Sequence, residues 1–117
     1  MDFHLSEEHQ MIRDMARKFA DEVIAPRAEE MEATGEYPYD IMERMAALGM
    51  MGIPFPSEYG GSGGDWVGMH LCIEEISRAD VTLGGLTLFH LEALGWERFY
   101  WFCFAAALPA GLASRYH

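Results

Sequence analysis

From Leu5 onward, apolar residues recur at intervals of three and four. Met11, Ile12, Met15, Ala16, Phe19, Ala20 and Val23 form one stripe, with Arg13, Asp14, Arg17, Lys18 and Asp21 opposite. That period belongs to a helix with one buried face and rules out a strand, whose side chains alternate every two residues. Ser6 stands where an N-cap belongs, and Glu7 and Glu8 would meet the positive end of the helix dipole. Pro26, which lacks an N–H and crowds the preceding turn, is expected to interrupt this helix after Ala25.

The same punctuation continues along the chain. A short helix is expected through "RAEEMEA", ended by Gly35, and Pro38 can open a third. Ile41, Met42, Met45, Ala46 and Leu48 supply the apolar face of that third helix, and Gly49 its stop. "GMMGIPFP" then leads into "PSEYGGSGGDW", a connector too rich in proline and glycine for a long regular element. Asp65 caps a fourth helix with Val67, Leu71, Cys72, Ile76 and Ala79 as its buried set. A fifth segment, from Thr82 through Leu83, Leu86, Leu88, Phe89 and Leu91 to Gly95, also reads as helix. No strand alternation or repeat competes, so the fold class is all-α: a short bundle of about five helices without a β-domain.

Two units follow from this pattern. Residues 1–95 form the helical domain and 96–117 a divergent apolar tail. Phe99 to Ala113 carries no charge and is flanked by Arg98 and Arg115. Those fifteen residues fall short of the roughly 18 a bilayer-spanning helix requires, and Pro109 and Gly111 break them, so no membrane span is expected. Left uncovered, the aromatic cluster would be a sticky surface for self-association or for a partner.

Charge narrows the function. Nineteen acids against eight bases give a net charge of -11, the wrong sign for a polyphosphate backbone, so nucleic acid is excluded as a partner. The same sign argues against phosphate capture by Gly60, Gly61, Gly63 and Gly64. The loop lacks the GxxxxGK[ST] spacing, no base lies between Arg44 and Arg78, and Asp65 takes the helix terminus an anion would need. We read it as a turn in which Tyr59 folds back against a helix.

No metal site is expected. His4 and His9 flank a helix start, His70 and Glu74 lie one turn apart, His90 stands in an apolar segment, and no HExxH or paired ExxH motif occurs. Glu74 and Glu75 point about 100 degrees apart on a helix and read as a solvated face or as ion-pair partners of Arg78. The nine methionines read as adaptable core. Cys72 and Cys103 have no CxxC spacing and read as buried thiols of a reducing compartment. The opening "MDFHLSEEHQ" is acidic and has no apolar h-region, so no targeting segment and a cytoplasmic location are expected.

The order of three stretches carries a family likeness. "LSEEHQMIRDMARKFADEVIAPRAEEMEATGEYP", "MERMAALGMMGIPFPSEYGGSGGDW" and "CIEEISRADVTLGG" resemble the N-terminal helical domain of the acyl-CoA dehydrogenase family over residues 3 to about 95. The glycine-rich stretch is similar to the family's P-E-E-Y-G-G connector, with Ser57 in place of a glutamate.

The resemblance implies FAD-dependent α,β-dehydrogenation of acyl-CoA thioesters, in which a carboxylate takes the α-proton while the β-hydrogen leaves as hydride to the flavin. It places the catalytic base and most of the flavin site in later domains, so no catalytic, cofactor-binding or metal-binding residue is carried onto this chain. What it does carry over is part of the wall around the acyl chain, at Leu83, Gly85, Leu86, Thr87 and His90. After Gly95 the family's polar G-T-E-E-Q-K type segment is replaced by "WERFYWFCFAAALPAGLASRYH". The implied function is therefore that of an N-terminal domain or truncated member, non-catalytic alone. The alternative is a helical interaction or dimerisation module using the apolar tail to meet a second copy or the missing domains.

Overall fold

A computed structural model describes residues 2–91. Helix α1 spans Glu7–Phe19, α2 Ala28–Thr34, α3 Tyr39–Ala47 and α4 Trp66–Ala79. The helix α5 runs from 81 to 91, where the described chain stops. No strand occurs among the described residues, in keeping with the all-α expectation. The apolar tail and Cys103 lie outside them.

Ser6 caps α1 as expected, its Oγ accepting the His9 amide at 3.2 Å. Pro26 acts differently from expectation. The chain stays right-handed helical through it, by way of a π turn at Ala20–Ile24 and a 3-10 turn at Ala25–Arg27. In the π turn the Ala25 amide donates to Ala20 O, one residue further back than in an α-helix. This wider turn relieves the crowding that a proline ring imposes on the preceding carbonyls, so the proline reshapes the rod instead of ending it.

Gly35 and Gly49 adopt left-handed φ values of 65° and 77° and stop α2 and α3. Pro38 is the N-cap of α3 and Tyr39 its first residue. The buried face of α3 is narrower than its sequence implies. Ile41, Met42 and Met45 are buried, whereas Ala46 is exposed and Leu48 is 50% exposed. The Gly49 turn swings the backbone round, and Met50 and Ile53 take the next core places. Val67, expected inside, is 51% exposed, because α4 turns Gly68 and Met69 inward at that level.

The core joins Ala16, Phe19, Ala20 and Ile24 to Met69, Cys72 and Ile76, with Met45 and Met50 below and Leu83 and Leu91 of α5 alongside. Four methionines, Met42, Met45, Met50 and Met69, are core residues as expected, while Met11 is exposed. Helix α1 packs chiefly on α4. Gly68 permits their approach, since a Cβ there would lie 2.8 Å from Ile12 Cδ1.

A charge clamp fixes this pair. Glu75 is buried on α4, and Arg17 of α1 donates Nη2–H to its Oε1 at 2.8 Å and Nε–H to its Oε2 at 3.1 Å. Arg78 donates Nε–H to the same Oε2 at 3.0 Å and Nη2–H to Asp21 Oδ1 at 2.6 Å. The two adjacent glutamates thus part ways: Glu74 is the solvated one and Glu75 the ion-pair partner. The Arg17 hydrogen bond, joined by Arg78, holds the Glu75 carboxyl below the usual carboxylate range despite its burial. Burial alone pushes the Cys72 thiol up to about 12, making it inert.

Glu75→Gln should therefore lower unfolding free energy at neutral pH by about 1.5–3 kcal/mol, the worth of hydrogen bonds to a charged group. Because the folded-state pKa is depressed, the clamp contributes fully above the ordinary glutamate value of about 4.3 and is lost as pH falls through the lower folded value. Urea titrations of both proteins across that range should show the difference shrinking towards low pH. A constant difference would exclude the clamp as its source.

Candidate functional site

The glycine-rich loop spends its backbone donors on itself. The amides of Gly60, Gly61, Ser62, Gly63 and Gly64 donate to Ser57, Pro56, Gly52, Phe55 and Ile53 carbonyls at 2.8–3.1 Å. The Ser62 hydroxyl donates to Gly49 O. A phosphate cradle needs such amides free and convergent, and none of these five is. Gly61 is seated against Phe55, where a Cβ would fall 2.1 Å from the carbonyl oxygen. Tyr59, expected to fold back against a helix, is 62% exposed.

Asp65 closes the loop onto α4. Its carboxylate accepts the Gly68 amide at 2.8 Å and, from α1, the His9 Nε2–H at 2.9 Å. The Gly68 bond, then His9, holds the Asp65 carboxyl below its ordinary range. Among the other described histidines, His70 donates Nδ1–H to Trp66 O, and His90 is exposed. No three His, Cys, Asp or Glu side chains converge to hold a metal among the described residues.

The five residues expected along an acyl wall all lie on α5 but face different ways. Leu83 and Thr87 point into the core, with the Thr87 hydroxyl donating to Leu83 O at 2.8 Å. Leu86 is half-buried on the shoulder of the helix and His90 is exposed. Gly85 sits on the other side, with nothing within 4 Å of where its Cβ would be. It belongs to an apolar strip left bare between Val81, Leu88 and Phe89, the last 70% exposed.

Asp80 starts α5, its Oδ1 accepting the Leu83 amide at 2.7 Å. Sequence reasoning overlooked this cap, although an aspartate before an apolar run is a recognisable start signal. It also overlooked a groove of about 520 Å³ between the α2–α3 turn and the start of α5. Met31, Tyr37, Pro38, Leu83 and Leu86 give it an apolar floor. No local pattern announces the groove, because its two walls are about forty-five residues apart in the chain.

These features can be set beside known proteins. The family model described as acyl-CoA dehydrogenase, N-terminal domain, matches residues 6–100. The chain belongs to the acyl-CoA dehydrogenase family. It is 45% identical over 102 residues to a probable acyl-CoA dehydrogenase of Bacillus subtilis, covering 87% of this chain and 27% of that protein. Against a short-chain-specific acyl-CoA dehydrogenase of Clostridium acetobutylicum it is 40% identical over 90 residues, covering 77% of this chain and 24% of that one. The chain thus spans about a quarter of the length of the curated relatives it matches.

Solved structures give the same picture. A glutaryl-coenzyme A dehydrogenase in complex with glutaryl-CoA superposes with a TM-score of 0.67 at 36% identity, covering 68% of this chain and 21% of that chain. A chain from work on the electron transferring flavoprotein of Acidaminococcus fermentans superposes with a TM-score of 0.72 at 40% identity, covering 74% and 23%. The family's connector is therefore, in this chain, a self-bonded turn.

Two alanine substitutions probe that turn. Gly60→Ala, at φ 84° with open space around it, should cost about 1–2 kcal/mol of stability for the left-handed backbone alone. Gly61→Ala must displace the Phe55 backbone and should cost more, read by thermal or urea unfolding. Equal losses would mean that the loop does not pack as described.

Proposed function

We propose that this chain acts as the N-terminal helical domain of an acyl-CoA dehydrogenase, lending a wall to the acyl chain and a packing surface to the remaining domains without performing the chemistry itself. The bare strip of α5 carries the proposal. A helix whose inner face is packed through Leu83, Thr87 and Leu91 presents Val81, Gly85, Leu88 and Phe89 outward, and apolar surface of that kind is normally covered. Gly85 leaves room for an alkyl chain to lie against the helix, flanked by Leu86, with Leu83 and Thr87 supporting the wall from behind and His90 at its end. Each methylene buried there contributes about 0.8 kcal/mol, enough to select chain length.

The residues present do not fit the flavin. Its diphosphate would need free donors, whereas the loop amides are engaged internally and Asp65 occupies the start of α4. Nor do they offer a proton acceptor. Glu75, the buried carboxylate among the described residues, is held by two arginines with its basicity lowered, the opposite of what a general base requires. We assign FAD, the base and the acyl-CoA reaction to the family's later domains. The buried thiol of Cys72 fits a reducing compartment, and we place the protein in the cytoplasm. No helix among the described residues is long and apolar enough to cross a membrane.

The purified chain, mixed with FAD, a dye acceptor and butyryl- or palmitoyl-CoA, should neither retain flavin nor reduce the dye. Stoichiometric flavin that bleaches on adding thioester would overturn the proposal. For the wall, residues 1–95 can replace the matching domain of the Bacillus subtilis relative. There Gly85→Leu, which adds about four carbons to the wall, should lower kcat/KM for palmitoyl-CoA by at least about tenfold relative to butyryl-CoA. An unchanged ratio would remove Gly85 from the wall.

A second reading, a non-catalytic interaction or dimerisation module using the apolar tail, draws on the uncharged run from Phe99 to Ala113. Light scattering on the full chain and on one ending at Gly95 separates the two, since a monomer in both cases excludes assembly through the tail.

A further inference from the structure

Of the five wall residues, only Leu83 and Leu86 line the groove between the α2–α3 turn and the start of α5. Its volume of about 520 Å³ lies within the range of small-molecule sites. Met31, Leu83 and Leu86 make its floor apolar, and Tyr37 adds an aromatic ring, set against Tyr39 with 4.6 Å between ring centroids. The charge around that floor has one sign. Glu32, Glu36 and Asp80 line the groove, and no lysine, arginine or histidine does. Asp80 is engaged as the α5 cap. Glu32 and Glu36 have no ion-pair partner among the described residues, whereas Asp21, Asp40, Asp65 and Glu75 each do. On the other side of the same turn, Arg27 already meets Glu30 and Asp40.

This combination selects one class of ligand. An anion, acyl-CoA included, is repelled by a rim of carboxylates in a chain of net charge -11. A neutral apolar molecule would strip water from Glu32 and Glu36 and give them no partner in return. A bare metal ion gains nothing from the apolar floor, and no three ligating side chains converge among the described residues. A molecule with an apolar body and a cationic head suits both parts of the groove. Its body removes Met31, Leu83 and Leu86 from water, while its head meets the carboxylates and the face of Tyr37.

We propose that this groove binds an amphipathic organic cation, an alkyl- or arylammonium whose apolar body lies on Leu83 and Leu86 and whose head sits beside Glu32 and Glu36. The site does not rest on the role in acyl-CoA chemistry, and it leaves Gly85, Leu88 and Phe89 of the outward strip untouched.

Octyltrimethylammonium, titrated into the full chain and followed by NMR, is the test. It should bind saturably, with shifts centred on Met31, Tyr37, Leu83 and Leu86. Octanoate reverses the charge and tetramethylammonium removes the tail, so each should bind at least about tenfold more weakly. Glu32→Gln combined with Glu36→Gln should weaken binding of the probe at least about fivefold. Glu29→Gln combined with Glu43→Gln removes the same charge from exposed positions that do not line the groove, and should leave the affinity within about twofold. Circular dichroism checks that both double variants are folded. Absence of saturable binding, equal affinity for octanoate, equal weakening by the two pairs of substitutions, or shifts centred on Leu88 and Phe89 would each overturn the proposal.

Discussion

One buried carboxylate organises the described part of this molecule. Glu75 lies in the seam between α1 and α4, and nearly all its surface is withdrawn from water. A charge placed there would oppose folding unless matched, and Arg17 meets it with two hydrogen bonds while Arg78 adds a third. Such a clamp also bears on register. Sliding α4 by one residue would rotate Glu75 away from Arg17 and bring an apolar neighbour, Ile76, towards the guanidinium. The correct alignment of Ala16 and Phe19 with Cys72 and Ile76 is thus enforced by electrostatics as well as packing. Asp21, bound by Arg78, extends the same constraint into the π turn.

With α1 and α4 registered, the loop before α4 becomes a strut. Its amides bond to carbonyls of residues 52–57, and Asp65 ties its far end to both α4 and His9 of α1. A loop that bonds inwardly in this way holds a fixed shape without a ligand. The four glycines are there for backbone proximity and left-handed turns, as Gly61 against Phe55 shows, and the resemblance to nucleotide-binding loops is one of composition only.

Much of this was legible in the sequence, and the failures share a cause. The stripe of α1 from Ile12 onward, though not Met11 at its start, which is exposed, the Ser6 and Asp65 caps and the stops at Gly35 and Gly49 are local signals, set by periodicity or by the chemistry of one or two side chains. The errors at Leu48, Val67 and Pro26 arise where a neighbour decides. Leu48 loses its core place because the Gly49 turn hands it to Met50. Val67 is displaced because Gly68 lets α1 come close on the adjacent side. Pro26 keeps the helix going because a wider turn upstream absorbs it, and nothing in "VIAPRA" distinguishes that outcome from a break. The role of Glu75 needed Arg17, fifty-eight residues away. The five residues assigned to the acyl wall share one helix, and only the fold separates Leu83 and Thr87, which face inward, from Gly85, which faces out.

That separation bears on what the domain contributes. Helix α5 is held on one side by Leu83, Thr87 and Leu91, and its first turn is fixed by Asp80, so the outward strip is presented on a rigid support. In the proposed role, a wall that discriminates alkyl chains by a methylene or two would gain from such rigidity, because a compliant wall would adjust to each chain and lose the difference in burial. The buried carboxylate among the described residues, Glu75, is already held by Arg17 and Arg78. Arg17, Arg78, Asp21 and Glu75 hold α1 and α4 together, and in the proposed role the outward apolar strip of α5 would meet the acyl chain. The bundle would, in that role, offer shape to a reaction whose reactive groups lie in the family's later domains.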